Sequence, residues 1–245
     1  MGNIDWDFTD RTVIVTGAAQ GIGLEIARFF ADANADVIAV DLDPEALAEA
    51  AAIKRVSVLA GDVTRSETAE AAVSAALEAT GRVDILVNNA GILRDGVVWK
   101  MTDDNWDQVL AVHAGGTFRM TRACVPVFRA QGYGRIVNVT SYTGLHGNVG
   151  QANYAMAKAG VIGFTKTVAK EVARFGVTVN AISPNASTRM VSSIPADKMA
   201  ELTAQIPLQR FAEPAEMCTT VAFLASEESA YVTGVVLPVD GGLSM

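Results

Sequence analysis

The chain has 245 residues, of which 50% are hydrophobic and 19% charged, a length and balance that suit one large α/β domain with a sizeable core. Its formal net charge of −8 comes with no basic run or stripe, which argues against a nucleic-acid partner. Apolar runs are short and broken by charges and glycines, so no segment reads as a membrane span. The acidic start Met1-Gly-Asn-Ile-Asp-Trp-Asp has no basic n-region, and Trp6 stands where a myristoylation pattern wants Ser or Thr. Neither a signal peptide nor a lipid anchor is expected, and a cytoplasmic location follows by default. Cys124 and Cys218 lie in apolar helical patterns and form no disulfide framework, so both are expected as reduced core residues.

Taken in order, the chain predicts a strand over 12–16 and a helix over 23–32, then strand 36–40 and helix 44–52, then strand 56–60 and helix 66–80. Strand 83–88 leads to a long helix over 103–129, strand 134–140 to a helix over 152–175, and strand 177–182 to a helix over 214–224 and a last strand over 235–239. Strands alternating with helices argue for a parallel sheet covered on both faces, and the strands read as near-continuous apolar runs, as doubly buried strands should. No linker or repeat divides the chain, which reads as a single domain over 1–245. The irregular stretch 185–207, with a short helix possible at 196–205, reads as a lid over a site at the strand ends.

The first strand runs into Thr16-Gly17-Ala-Ala-Gln20-Gly21-Ile22-Gly23 and then a helix. A glycine-rich turn at that junction lets backbone amides and the helix N-terminus face a pyrophosphate. The spacing is one residue longer than the commonest dinucleotide fingerprint. Asp41 follows 24 residues after Gly17, with Leu42 beside it. A carboxylate there can accept from the adenosine ribose hydroxyls and would repel a 2′-phosphate. No arginine or lysine stands in the turn or beside Asp41, so NAD is favoured over NADP. Asp41 could instead cap the helix entry before Pro44, but Asp43 fits that role better.

Further on, Ser141 precedes Gln151-Ala-Asn-Tyr154-Ala-Met-Ala-Lys158. Tyr154 and Lys158 are four residues apart and share a helix face one turn apart. By itself that spacing can occur on any surface helix. A cation beside a phenol favours the phenolate, and work near neutral pH needs a shift of roughly 2–3 units, or about 3–4 kcal/mol. The only two histidines, His113 and His146, are far apart and lack ligand spacing, so no metal site is expected.

With Thr16–Gly23, Asn88-Asn89-Ala90-Gly91, Ser141, Tyr154-x-x-x-Lys158 and Pro184 in this order, the chain resembles the short-chain dehydrogenase/reductase family from residue 10 to residue 242. The resemblance implies a Rossmann fold with a seven-stranded parallel sheet, a nicotinamide cofactor and a homotetramer. It implies that Asp62 and Val63 flank the adenine, that Asn89, with Ala90 and Gly91, helps hold the cofactor, and that the Pro184 segment with Ser187 contacts the carboxamide. Ser141 would orient the substrate oxygen, Tyr154 would be the general acid in reduction and the base in oxidation, and Lys158 would lower the tyrosine pKa and bind the nicotinamide ribose.

Two departures stand out. His113 occupies the position where many members carry a relay asparagine that acts through its main-chain carbonyl. A histidine supplies the same carbonyl, and its ring reads equally as a helix-packing group. Arg189 stands where the pyridine-side segment usually has threonine, with Thr188 before it. Both variants look like those of the (3R)-hydroxyacyl-CoA dehydrogenase part of multifunctional enzymes, while Gly91–Asp95 and Gly147–Tyr154 also match carrier-protein-linked 3-oxoacyl reductases. At the two positions where those reductases dock an acidic carrier this chain has Gly132 and Phe175, with Arg129 and Arg174 near. The expectation is an NAD-dependent enzyme interconverting a 3-hydroxyacyl and a 3-oxoacyl thioester, with CoA as a possible handle. A generalist secondary-alcohol/ketone reductase or a non-catalytic dinucleotide sensor are the rivals. Small outward residues (Ala157, Ala159, Gly160, Gly163, Ala169) are expected to pack between subunits.

Overall fold

The computed structural model describes residues 3–187 and 196–245. Thr188, Arg189 and Met190, and part of the expected lid over 185–207, lie outside the described residues. The elements run β1 (Thr12–Thr16), α1 (Gly21–Asp32), β2 (Asp36–Asp41), α2 (Ala48–Ala51), β3 (Val56–Ala60), α3 (Ser66–Thr80), β4 (Ile85–Asn88), α4 (Asp103–Leu110), α5 (Gly116–Gln131) and β5 (Gly134–Val139). They continue with α6 (Tyr142–His146), α7 (Ala152–Val172), β6 (Val177–Pro184), α8 (Ala196–Ala204), α9 (Cys218–Ala225) and β7 (Val236–Val239). The strands form one parallel sheet in the order β3-β2-β1-β4-β5-β6-β7, the expected Rossmann architecture.

Alternation along each strand divides the core. Val13, Val15, Val37, Ala39, Ile85 and Val87 face one layer with Leu24, Ala27 and Phe30 of α1 and Val221 of α9. Ile14, Ile38, Val40, Leu86 and Ile136 face the other, with Ala72 of α3, Met120 and Phe128 of α5 and Val172 of α7. Successive side chains of a strand point to opposite faces, so apolar residues at every position require helices on both sides. The double burial expected of all strands fails at the edges. β3 and β7 are largely open, because an edge strand has helix cover over less of its length.

Other differences are local. The expected helix over 103–129 is α4, a π-turn at Ala111–Gly115 and then α5. The helix over 44–52 shrinks to α2, after a turn in which Asp43 Oδ1 accepts from the amides of Glu45 (2.9 Å) and Ala46 (3.2 Å). α6 was not anticipated. Ala159, Gly160 and Gly163 of α7 do face outward, but Ala157 and Ala169 are buried within the protomer, since they lie on the opposite side of the helix. Both cysteines are free and buried, and burial pushes their thiols up to about 12. Among the described residues no helix is long and apolar enough to cross a membrane.

Candidate functional site

The strand order reverses between β1 and β4, which opens a crevice at their C-terminal ends. The glycine turn and the Asn89–Gly91 segment meet there. A Cβ on Gly17 (φ +66°) would lie 2.8 Å from Ala90 Cα, so only glycine allows this approach. Asn89 Nδ2 donates to the carbonyls of Thr16 (3.0 Å) and Gly17 (3.1 Å). Thr16 Oγ1 accepts from the amides of Asn89 (3.0 Å) and Ala90 (3.1 Å). Gln20 is the N-cap of α1, and Gly21, Ile22 and Gly23 form its first turn, where a helix leaves its amides without intrahelical acceptors. Those amides could take a pyrophosphate.

Asp41 ends β2 and bends toward this turn. Its Oδ2 accepts from Ala19 N (3.0 Å) and its Oδ1 from Leu42 N (2.8 Å). Oδ1 also takes a long contact from Asp43 N (3.5 Å), while Oδ2 keeps a further lone pair that could accept from a ribose hydroxyl. Leu42 itself is exposed. Asp62 follows β3 and closes a tight turn by accepting from Thr64 N (2.8 Å), and Val63 is buried beside Gly116. At the end of β6, Pro184 leads to Asn185, whose amide donates to Val239 O (3.0 Å), and to exposed Ser187, whose amide donates to Ala212 O (2.8 Å). First-turn donors, an acceptor-only carboxylate and small residues at the close approach together fit a dinucleotide.

Ser141, Tyr154 and Lys158 converge at the end of β5. Ser141 is the N-cap of α6, its hydroxyl accepting from Thr143 N (3.2 Å). Tyr154 lies in the first turn of α7, with the Ser141 hydroxyl near enough to draw its phenol down. Asn153, buried, fixes that turn. Its Oδ1 accepts from Tyr154 N (2.8 Å), and its Nδ2 donates to the carbonyls of Arg94 (3.0 Å) and Asn105 (3.2 Å). Lys158 lies one turn on, with Nζ 5.6 Å from the Tyr154 ring centroid and donating to Val139 O (2.7 Å). His113 joins the group from the π-turn, its ring edge-to-face with Tyr154 at 5.0 Å.

The electrostatics correct one expectation. Tyr154 sits above the usual phenol value rather than below it: burial raises it, the Ser141 hydrogen bond draws it down, and Asp95 raises it. Burial brings the Lys158 ammonium down to about 7. A dry site penalises the charged form of each group. At neutral pH the phenol is therefore protonated, the form that can donate to a carbonyl oxygen.

Sequence reasoning missed a polar chain beneath this cluster. Asn88 Nδ2 donates to Asn138 Oδ1 (2.9 Å) and Thr121 Oγ1 (3.2 Å), and Asn138 Nδ2 donates to Thr165 Oγ1 (2.9 Å). The signal was an asparagine inside each of two apolar strands. At the mouth, Gln151 Nε2 donates to Asp95 Oδ2 (2.9 Å) while its Oε1 accepts from Thr143 and Asn148. On the outer surface, Arg129 and Arg174 both stack on Phe175, at 4.5 and 4.7 Å.

A doubly wound sheet with a glycine turn at its switch point defines a dinucleotide-binding fold, and relatedness narrows the class. A family model described as enoyl-(acyl carrier protein) reductase matches residues 17–244, and the chain belongs to this family of short-chain dehydrogenases/reductases. It is therefore an oxidoreductase, in a family that uses a nicotinamide dinucleotide. It is 42% identical over 241 residues to the 3-oxoacyl-(acyl-carrier-protein) reductase of Thermotoga maritima, covering 95% of this chain and 97% of that protein. It is 42% identical over 243 residues to an acetoacetyl-CoA reductase of an Acinetobacter species, covering 96% and 98%. The crystal structure of levodione reductase matches with a TM-score of 0.92 at 35% identity, over 97% of this chain and 98% of that one.

Proposed function

We propose that this protein is an NAD(H)-dependent oxidoreductase that interconverts a 3-oxoacyl and a 3-hydroxyacyl thioester. The observation that carries the reading is the Ser141–Tyr154–Lys158 cluster, present in a chain similar to reductases of both acyl-carrier and CoA thioesters. When bound, the nicotinamide dinucleotide supplies or takes up the hydride. In reduction the Tyr154 phenol donates its proton to the substrate carbonyl oxygen, and in oxidation it takes the proton back from the hydroxyl. Ser141 donates a hydrogen bond to the same oxygen and fixes its place. Lys158, buried and close to neutrality in its titration, answers the charge left on Tyr154. Asp41, with no cation beside it, supports NAD over NADP. His113 offers its main-chain carbonyl at the relay position. Family kinship supports a homotetramer, and light scattering at monomer mass would remove that part.

The decisive experiment compares wild type with Tyr154→Phe on (3R)-hydroxybutyryl-CoA with NAD⁺ and on acetoacetyl-CoA with NADH. The reading is lost if the wild type is no faster than the variant. A preference for NADP(H) would overturn the role of Asp41 alone. A second reading, a thioester carried on an acidic protein, is favoured by the paired Arg129 and Arg174 on Phe175, which hold two cations on an otherwise acidic chain. Turnover that prefers a carrier-protein thioester over its CoA counterpart would select it.

A further inference from the structure

His113 is a buried polar group whose side chain the proton-transfer scheme leaves unused. It is 2% exposed and sits in the π-turn between α4 and α5. Its Nε2 lies 2.8 Å from the Ile92 carbonyl oxygen and 3.1 Å from the Ile92 amide. A protonated Nε2 donates to the carbonyl and a bare one accepts from the amide, so either neutral tautomer keeps one bond to Ile92. Gly91 makes the fit possible, because a Cβ there would lie 2.3 Å from the ring's Cε1. The ring also meets Tyr154, with centroids 5.0 Å apart and the planes at 90°, within the favoured range for an edge-to-face aromatic pair. The imidazole thus touches both the Gly91–Ile92 segment and the phenol.

The ring stays uncharged. Burial, then the Lys158 cation, bring its pKa to about 3 against the pull of the Ile92 hydrogen bond. The other groups acting on the phenol are Ser141 at the start of α6 and Asp95 in the segment after β4. A neutral, fixed ring beside an acid–base phenol does two things. It can limit the rotation of the phenol, and it can shield the phenol from water.

We propose that the His113 side chain is a positioning residue, which holds the Tyr154 ring in its proton-transfer orientation and keeps it dry. The proposal deepens the reading of Tyr154 as the proton donor and rests on it. The test uses His113→Ala, His113→Gln, which can still reach Ile92 but has no ring, and His113→Phe, which keeps a ring but cannot bond Ile92. Two readouts are taken: steady-state reduction of acetoacetyl-CoA, and ultraviolet titration of the phenols, with the share of Tyr154 obtained by difference from Tyr154→Phe. His113→Ala is expected to lose about tenfold or more in kcat with KM nearly unchanged, as a misplaced acid would. Its Tyr154 should ionise at lower pH than in wild type, because water then reaches the phenolate. His113→Phe should recover more of kcat than His113→Gln. Unchanged kcat and titration in all three variants would overturn the proposal, and so would recovery by Gln equal to or above that by Phe; a clear advantage of Gln would make the histidine only an anchor for Ile92. If His113→Ala does not fold, the Gln and Phe variants decide. If wild type shows no turnover dependent on Tyr154, the functional reading fails, while the titration still tells whether the ring keeps the phenol dry.

Discussion

Asp84, at the foot of β4, and Lys158, near the opposite end of β5, are both buried ions, but their surroundings differ. Asp84 accepts from Arg82 Nε (2.7 Å) and Nη2 (2.6 Å), from Arg11 Nη1 (3.3 Å) and from Thr12 N (2.9 Å). Nearby, Arg135 donates to the carbonyls of Ser226, Gly134 and Gly176, and Tyr133 lies between the guanidiniums of Arg11 and Arg135 at 4.5 and 4.3 Å. Lys158 has one hydrogen-bond acceptor for its ammonium among the described residues, Val139 O. Unpaired buried atoms also gather at its end of the sheet, at His113 Nδ1, Ser183 Oγ and Asn185 Nδ2, although Thr178 Oγ1 at the start of β6 is unpaired too. At the N-terminal ends Asp84 and Arg135 complete their polar pairings, and Thr178 is the exception. The C-terminal ends leave groups whose best partners would be a ligand.

Breaking each end separately sharpens the contrast. Lys158→Met should stabilise the free protein. The folded pKa of about 7 lies below the ordinary lysine value of 10.5, so burial of the charge costs stability in full below pH 7 and nothing above pH 10.5. The gain, about 5 kcal/mol as a ceiling, should appear in urea melts at pH 6 and vanish above pH 10.5. A variant no more stable than wild type at pH 6 would contradict the depressed lysine. Asp84→Asn should act in the opposite sense, costing about 3 kcal/mol because two guanidiniums lose a buried partner. A loss below 1 kcal/mol in the same melts would show that the pairings at this end add little. The smallest effect is expected at Asp41, on the site side. Asp41→Asn should cut the NAD preference over NADP about tenfold, or about 1.4 kcal/mol, read as a ratio of kcat/KM values. An unchanged ratio would move cofactor choice away from this carboxylate.

Much of this was legible in the sequence, for reasons particular residues make clear. β1, β3 and α3 have the limits the sequence implies, because β-branched runs and a fifteen-residue helical pattern are local signals. The single long helix expected over 103–129 hid a π-turn, because apolar spacing runs on through it and one extra residue in a turn leaves little mark on a period of 3.6. α6 is five residues long, too short for a period to show. In the site, Ser141, Tyr154 and Lys158 stood out by type and spacing. Asn153 did not, because its value lies in two carbonyls 48 and 59 residues away.

The sequence by itself determined the order of strands and helices, the glycine turn, the acid at the end of the second strand, and the serine, tyrosine and lysine in their order. Each of these is a matter of residue type at short range. Only the tertiary structure decided how the phenol and the lysine titrate, where the His113 ring lies, and which alanines of α7 face out. Desolvation and packing depend on what other segments bring to a residue. At Tyr154 burial raises the phenol, whereas the sequence could show only a lysine one helical turn away.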